Sequence, residues 1–137
     1  PFEGAKEFVE WVSTHFQLII LSDTFYEFAQ PLMKQLGWPT IFCHKLETDE
    51  KGMITAYKLR QPDQKRQAVK ALHGLNFRVI AAGDSYNDTT MLGEADHGFL
   101  FDAPENVIAE FPQFPPIHGY AALKEAIRNA SIRNIPA

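Results

Sequence analysis

Two short apolar runs in this 137-residue chain end directly in clusters of polar side chains. The run QLIIL, Gln17–Leu21, leads into Ser22–Thr24, and the run RVIAA, Arg78–Ala82, leads into Gly83–Asp88. Runs of this length and β-branched content are typical of buried strands. Because apparent helices separate the strands, the sequence predicts an α/β fold with a mainly parallel sheet. In such sheets ligands bind at the carboxyl ends of the strands, where both polar clusters would lie.

Periodicity and turn signals predict the remaining elements. Helices are expected over residues 4–15, 25–36, 62–72, 88–95, 103–111 and 121–130. Further strands are expected over residues 40–44 and 98–101, and alternating stretches within residues 42–59 predict a β-hairpin with Gly52 in its turn. The Ser22–Thr24 cluster is expected to cap the helix that follows the first strand. The FPQFPP segment is expected to be a surface loop.

Composition narrows the classes of function. The net charge of −4 and the pI near 5.7 argue against a nucleic-acid or anionic-membrane binder, because phosphate groups attract basic faces. Cys43 is the sole cysteine, so a reducing, cytoplasmic location is expected. No apolar run approaches the roughly 20 residues of a membrane-spanning helix. The apolar fraction of 45% is enough for a core, and the length suits one domain over residues 1–137.

The acids that follow RVIAA allow two interpretations. Asp84 could close a turn after Gly83 while Asn87 or Asp88 caps the next helix. Two carboxylates about 4 Å apart, however, repel by roughly 4 kcal/mol at an effective dielectric constant near 20. A Mg²⁺ ion would convert that repulsion into attraction, because it binds oxygen ligands and needs only one or two carboxylates beside substrate phosphate and water.

Two other groups are candidates for binding an anion. Backbone N–H groups near Ser22 and Asp23, with the serine hydroxyl, could hold phosphate oxygens; the alternative is an ordinary helix cap. Lys65 could neutralise phosphate oxygens and carboxylates together. Its alternative is a solvated helix residue, and Arg66 and Lys70 compete with it for the functional role.

The order of these segments resembles a known family. The segment LSDT with Ser22, KRQAV with Lys65, and RVIAAGDSYNDTTM with Asp84 are similar to the second, third and fourth motifs of the haloacid dehalogenase superfamily of phosphotransferases. CHKLE and APENVIAEFPQFP further resemble members that act on phosphoserine and can pass its phosphoryl group to homoserine. The resemblance implies a Rossmann-like three-layer sandwich, Mg²⁺ as cofactor, phosphoserine as substrate and homoserine as an additional acceptor.

The same resemblance implies roles for individual residues. Asp84 would be a direct Mg²⁺ ligand, and Asp88 would hold either the water shell of the metal or Lys65. Lys65 would stabilise charge on the phosphoryl oxygens and on the nucleophile.

Phosphate contacts are implied as well. Ser22 would hydrogen-bond to the phosphoryl group, with the backbone around Asp23 assisting. Asn87 would contact the phosphate or the motif itself. With Lys65, these residues form the implied phosphate-binding set.

The chain departs from the family at the first motif. The family uses a D-x-D pair at the end of the first strand, in which the first aspartate accepts the phosphoryl group and the second acts as acid and base. No such pair follows a strand here, and the substrate-recognising cap is missing. That strand would lie between QLIIL and RVIAA, so we expect the 137 residues to be the carboxyl-terminal part of a longer enzyme and to be inactive alone.

Two other classes remain open from the sequence. A catalytically incomplete binding module would keep the fold and the metal site without the nucleophile. A receiver-type signalling domain also combines acids, a hydroxyl and a lysine, but its lysine follows the acid-bearing strand, whereas Lys65 precedes it. An upstream D-x-D pair would distinguish the enzyme from the module.

Overall fold

A computed structural model describes residues 3–51, 53–58 and 62–137 of the chain. The chain divides into two compact units, Pro1–Pro62 and Asp63–Ala137. Each unit contains a three-stranded sheet flanked by helices. The predicted α/β class with mainly parallel strand pairing is confirmed, because three of the four strand pairs are parallel.

The first unit has two helices and three strands. In chain order these are α1 (Ala5–His15), β1 (Ile19–Phe25), α2 (Tyr26–Gln35), β2 (Thr40–Thr48) and β3 (Ile54–Lys58). Strand β1 pairs in parallel with β2, and β2 pairs antiparallel with β3. The predicted hairpin is therefore confirmed, while Gly52, expected in its turn, lies outside the described residues.

The first strand is longer than predicted, and one expectation about it is wrong. Ser22–Thr24 does not cap a helix: β1 continues to Phe25, which is itself the N-cap of α2 and caps it without a side-chain hydrogen bond. Phe25 pairs with His44 of β2, and the register shifts between Leu21 and Phe25. Pairing with β2 thus overrides the local preference of serine, aspartate and threonine for a helix cap.

The second unit supplies the remaining elements. They are α3 (Gln64–Gly74), β4 (Ile80–Gly83), a 3₁₀ helix (Tyr86–Asp88), α4 (Thr89–Glu94), β5 (His97–Phe101), α5 (Glu105–Glu110), β6 (Pro116–Ile117) and α6 (Tyr120–Ala130). The sheet order is β4-β5-β6, with both pairs parallel. Strand β6 begins at the last proline of the FPQFPP segment, which was expected to be a surface loop.

The core of the second unit fixes α4 against the sheet. Val69 of α3, Leu92 of α4 and Leu100 of β5 are each at most 1% exposed. Burying side chains of this size stabilises the fold by about 1.5–3 kcal/mol each. A Cβ added to Gly98 of β5 would lie 2.5 Å from the carbonyl oxygen of Leu92, so helix and strand are in direct backbone contact. Helix α4, which follows the turn after β4, is therefore packed directly against β5.

Strands β1 and β4 are each a terminal strand of their sheet. The sequence predicts a further strand beside QLIIL and RVIAA, and that remains a prediction. Within the part of the chain that the structure describes, no helix combines the length and apolar character needed to cross a membrane.

Candidate active site

Strand β4 ends in a tight turn that folds around one carboxylate. We call residues Gly83–Asp88 the acid turn. The Oδ2 atom of Asp88 accepts hydrogen bonds from the backbone N–H of Asp84 at 2.9 Å and from that of Ser85 at 3.1 Å. The Ser85 hydroxyl adds a third at 3.2 Å. Asp88, only 5% exposed, therefore holds together the start of the turn that follows the strand.

Gly83 is where the backbone approaches this carboxylate most closely. A Cβ placed on Gly83 would lie 2.5 Å from Cβ of Asp88 and 2.6 Å from its Oδ2. Such a separation is far inside van der Waals contact, so the strand must end in glycine for the Asp88 side chain to fold back against it. The sequence predicted a turn after this glycine; that the missing side chain makes room for the Asp88 carboxylate is visible only in the structure.

The other oxygen of Asp88 is bound by a lysine from α3. Lys65 Nζ donates a hydrogen bond to Asp88 Oδ1 over 2.6 Å, and the two side chains are 11% and 7% exposed. Burial favours the neutral acid, but the hydrogen bond and charge of Lys65, with the two backbone N–H groups, outweigh it and lower the pKa of Asp88. The carboxylate is thus ionised and fully partnered at neutral pH.

Asp84 and Asn87 of the same turn are exposed. The Asp84 carboxylate makes no hydrogen bond or ion pair with any described residue. Its backbone supports Asp88, while its side chain stays available to a ligand. The two acids, treated alike by electrostatic reasoning on the sequence, therefore differ: one is buried and bound, and the other is exposed.

The structure also separates Lys65 from its competitors on α3. Arg66 lies 4.0 Å from Asp63 and 3.8 Å from Glu94 through its guanidinium nitrogens, and Lys70 is exposed. Of these three cations, Lys65 is the one whose charge is buried against the acid turn.

Tyr86 is a further residue of the acid turn, and sequence reasoning gave it no role. Its hydroxyl donates a hydrogen bond of 2.5 Å to Glu110 Oε2 at the end of α5 and accepts a longer one of 3.4 Å from Asn106 Nδ2. The hydrogen bond to Glu110 raises the pKa of Tyr86, so the phenol remains a donor. Its ring packs edge-on against Phe111 with centroids 5.7 Å apart. No sequence spacing pointed to these contacts.

Ser22 and Asp23 belong to the first unit. The Ser22 hydroxyl accepts a hydrogen bond of 3.1 Å from the backbone N–H of Thr24, which shapes the irregular end of β1. Asp23 Oδ1 lies 3.8 Å from Nε2 of His44, a buried residue on β2. His44 is another neighbour of a predicted site residue that the sequence did not single out. The structure thus brings Lys65, Asp84, Asn87 and Asp88 together in the second unit and places Ser22 with Asp23 in the first.

Among the described residues, no group of three or more His, Cys, Asp or Glu side chains is arranged to hold a metal ion. Within the acid turn, the exposed carboxylate of Asp84 is available as a metal donor. A hard oxygen donor of this kind fits Mg²⁺, which usually completes its coordination with water and substrate phosphate and does not need a full protein cage.

Comparison with known proteins identifies the family. The model of the haloacid dehalogenase-like hydrolases matches residues 1–96, which include β1, Lys65 and the acid turn. The chain belongs to the haloacid dehalogenase-like hydrolases. This confirms the family inferred from the segments around Ser22, Lys65 and Asp84.

Two curated relatives in this family are similar over most of the chain. A phosphoserine phosphatase of Pseudomonas syringae pv. tomato and the phosphoserine phosphatase ThrH of Pseudomonas aeruginosa are each 62% identical to it over 135 residues, 98% of its length. The chain spans 57% of the first relative and 66% of the second.

Two solved structures share the fold. A substrate-bound phosphoserine phosphatase complex has a TM-score of 0.74 at 20% identity, covering 94% of this chain and 63% of that one. A phosphoserine phosphohydrolase-like protein from Francisella tularensis has a TM-score of 0.73 at 23% identity, covering 91% of this chain and 62% of that one. At these identities the likeness establishes the architecture.

Proposed function

We propose that the protein carrying this chain is a Mg²⁺-dependent phosphomonoester hydrolase that acts on phosphoserine. The observation that carries the proposal is the buried Lys65–Asp88 pair beside the exposed carboxylate of Asp84, at the carboxyl end of β4. The names of the two Pseudomonas relatives support phosphoserine as the substrate.

Lys65 supplies positive charge where phosphoryl transfer needs it. Its ammonium group is held at a defined position because it donates a hydrogen bond to Asp88, and an ammonium group is a donor that phosphoryl oxygens can accept from. A preorganised cation in a partly desolvated site stabilises the charge that develops during transfer, and its loss typically costs on the order of 10²–10³ in rate. Asp88 therefore acts mainly by positioning Lys65 and closing the acid turn.

Asp84 would hold Mg²⁺, and Asp88 of the same turn would support the water shell of the ion. The bound ion would neutralise substrate phosphate and bring a second positive charge to the site. Asp84 suits this role because its carboxylate is exposed and makes no hydrogen bond or ion pair with the described residues. Asn87, also exposed in the turn, would hydrogen-bond to phosphate or to the turn itself.

Ser22 and Asp23 would bind the phosphoryl group from the end of β1. The Ser22 hydroxyl accepts a hydrogen bond from the N–H of Thr24, and a serine hydroxyl can also act as a donor to a phosphoryl oxygen. Backbone N–H groups around Asp23 would add donors in the irregular segment where the β1–β2 register shifts.

The covalent step would use an aspartate outside these 137 residues. That carboxylate attacks phosphorus, the bond from phosphorus to the serine oxygen breaks, and a neighbouring acid gives the serine oxygen its proton. Water then attacks the aspartyl phosphate, and the same acid accepts a proton from it. The absence of a D-x-D pair after a strand of this chain, and the 57% and 66% coverage of the two relatives, support this assignment.

Homoserine is the proposed second acceptor, in place of water. Its hydroxyl would attack the aspartyl phosphate in the same way and yield phosphohomoserine. This proposal depends on the resemblance of CHKLE and APENVIAEFPQFP to members with that activity. A cytoplasmic location is proposed with it, because the sequence contains a single cysteine.

Phosphate release from phosphoserine tests the proposal. The full-length polypeptide should release phosphate in the presence of Mg²⁺ and lose that activity with a chelator, while the 137-residue chain should release none. Adding homoserine should yield phosphohomoserine. Sustained turnover by the 137 residues would contradict an external nucleophile. Mg²⁺ and phosphate binding without turnover by the full-length protein would favour the catalytically incomplete binding module.

A further inference from the structure

The acid turn is attached to α5 as well as to α3, and the proposed chemistry does not use this second attachment. Tyr86 lies inside the turn, between the residues whose N–H groups bind Asp88 and Asp88 itself. Its side chain donates a hydrogen bond to the last residue of α5, Glu110. The turn is thus attached to α3 through Lys65 and to α5 through Glu110.

The contact of Tyr86 with α5 and with Phe111, the residue that follows this helix, has three components. Its shortest is the bond of 2.5 Å from the phenol to Glu110 Oε2, a donor to a charged acceptor, which is the stronger class of hydrogen bond. Asn106, one turn earlier on the same helix, donates to the phenol oxygen at 3.4 Å. Phe111 packs edge-on against the ring.

The backbone of Tyr86 is fixed too. Its carbonyl accepts a hydrogen bond of 2.8 Å from the hydroxyl of Thr89, at the start of α4. With both the carbonyl and the phenol engaged, the residue cannot rotate out without moving the turn. Because Tyr86 is 45% exposed, burial of its ring explains only in part why the side chain lies where it does.

We propose that Tyr86 and Glu110 are positioning residues with two effects. Their hydrogen bond holds the acid turn in the shape that orders the Asp84 and Ser85 amides around Asp88. By holding that shape, it also presents the Asp84 carboxylate to the metal. The effect on the metal rests on the proposed function, since it requires Asp84 to be the metal ligand. The effect on the shape of the turn does not depend on a metal.

Two measurements on the full-length polypeptide test it. Amide hydrogen exchange reports the order of the turn at Asp84 and Ser85, with the amide of Leu100 as a reference for global unfolding. Binding of Mn²⁺, a spectroscopic substitute for Mg²⁺, reports the metal site. The variants are Tyr86→Phe, which keeps the ring and removes the donor, and Glu110→Ala.

Both variants should speed exchange at the two turn amides by about tenfold, as expected for loss of one hydrogen bond to a charged acceptor. Mn²⁺ affinity should fall by about tenfold, the lower end of what lost outer hydrogen-bond partners cost a metal site. Glu110→Gln, which keeps an acceptor oxygen, should recover part of both effects. The double variant Tyr86→Phe/Glu110→Ala should be no worse than either single change, because the two remove the same bond.

Glu105→Ala is the matched control, because Glu105 is an exposed acid at the other end of α5. It should leave exchange and Mn²⁺ binding unchanged.

Unchanged amide exchange at Asp84 and Ser85 in Tyr86→Phe would overturn the proposal. Equal acceleration at Leu100 would also overturn it, since the effect would then be a general loss of stability. If Asp84→Asn binds Mn²⁺ like the unmodified protein, the metal assignment fails, whereas the exchange data still decide whether the bond orders the turn.

Discussion

Lys65 Nζ and Asp88 Oδ1 are 2.6 Å apart, and 23 positions of sequence separate the two residues. The pair joins α3 to the turn that follows β4, and neither charge is more than 11% exposed. Removing one member of such a pair leaves the other charge buried without its partner, which is more damaging than never having buried it. The site is therefore a point of structural sensitivity as well as a chemical one.

The first prediction concerns the cation. Lys65→Met keeps the length of the stem but leaves Asp88 without its counter-charge, and should lower the free energy of unfolding by about 3 kcal/mol. In the full-length enzyme the rate should fall on the order of 10²–10³. Urea unfolding and phosphate release measure the two effects. Lys70→Met, an exposed lysine on the same helix, should change stability by no more than about 0.5 kcal/mol.

The second prediction concerns pH. Because the pKa of Asp88 is lowered in the folded protein, its ionised form stabilises the fold above the ordinary aspartate pKa, and this contribution is lost as the pH falls through the lowered value. Asp88→Asn should therefore be less stable than the unmodified protein at pH 7, and the gap should narrow toward pH 3. Urea unfolding across that range measures it.

A second acid provides the comparison for that titration. Asp96 also has a lowered pKa, chiefly because it accepts the Val79 N–H and secondly through its hydrogen bond with His73. It is present in both proteins, so its acid-induced loss of stability cancels in the difference. A gap that stays constant down to pH 3 would mean that the charge of Asp88 contributes nothing to the fold.

The third prediction compares two glycines. Gly83→Ala forces a Cβ to within 2.5 Å of Asp88 and should destabilise the fold by about 2 kcal/mol, in the range of overpacked sites. Gly74→Ala, at the end of α3, has no heavy atom within 4 Å of the new Cβ and should be neutral or slightly stabilising. Thermal unfolding of both variants checks the contrast. Equal stability of the two would show that the turn can open to admit the methyl group.

The fourth prediction separates function from stability. Asp84→Asn changes an exposed carboxylate whose side chain bonds to no described residue, so the free energy of unfolding should change by no more than about 0.5 kcal/mol. Phosphate release by the full-length enzyme should nevertheless fall by about 100-fold or more, as when a charge-stabilising group is lost. A large loss of stability would instead assign Asp84 a structural role.

The sequence predicted the elements whose signal is local. Apolar runs marked the strands at QLIIL, RVIAA and GFLF, and the structure has a strand at each of them. The end of β1 was misjudged because Ser22–Thr24 favours a helix cap locally, whereas pairing of Phe25 with His44 prolongs the strand. Strand β6 was missed because it has only two residues and begins with a proline, a residue that lacks the N–H of a strand ladder. The neighbouring Pro115 likewise takes part only through its carbonyl, which accepts from the N–H of Leu100.

For the site, residue types were predictable and partners were not. A cluster of acids after a strand and a lysine on the preceding helix pointed to the right segments. Which acid is buried depends on the approach of Gly83 to Asp88 and on the reach of Lys65, and both are properties of the folded chain. The bond from Tyr86 to Glu110 spans 24 positions and has no signature in the sequence.

The close approach of Gly83 to Asp88 also constrains how this segment can evolve. A side chain at position 83 would collide with the β-carbon of residue 88, so any residue larger than glycine at position 88 strongly favours glycine at position 83. A mutation at the glycine is therefore not rescued by exchanging the aspartate for another acid, because every such residue brings the same β-carbon. Drift at these two positions is coupled, and the pair should be inherited as a unit even in descendants that have changed their substrate.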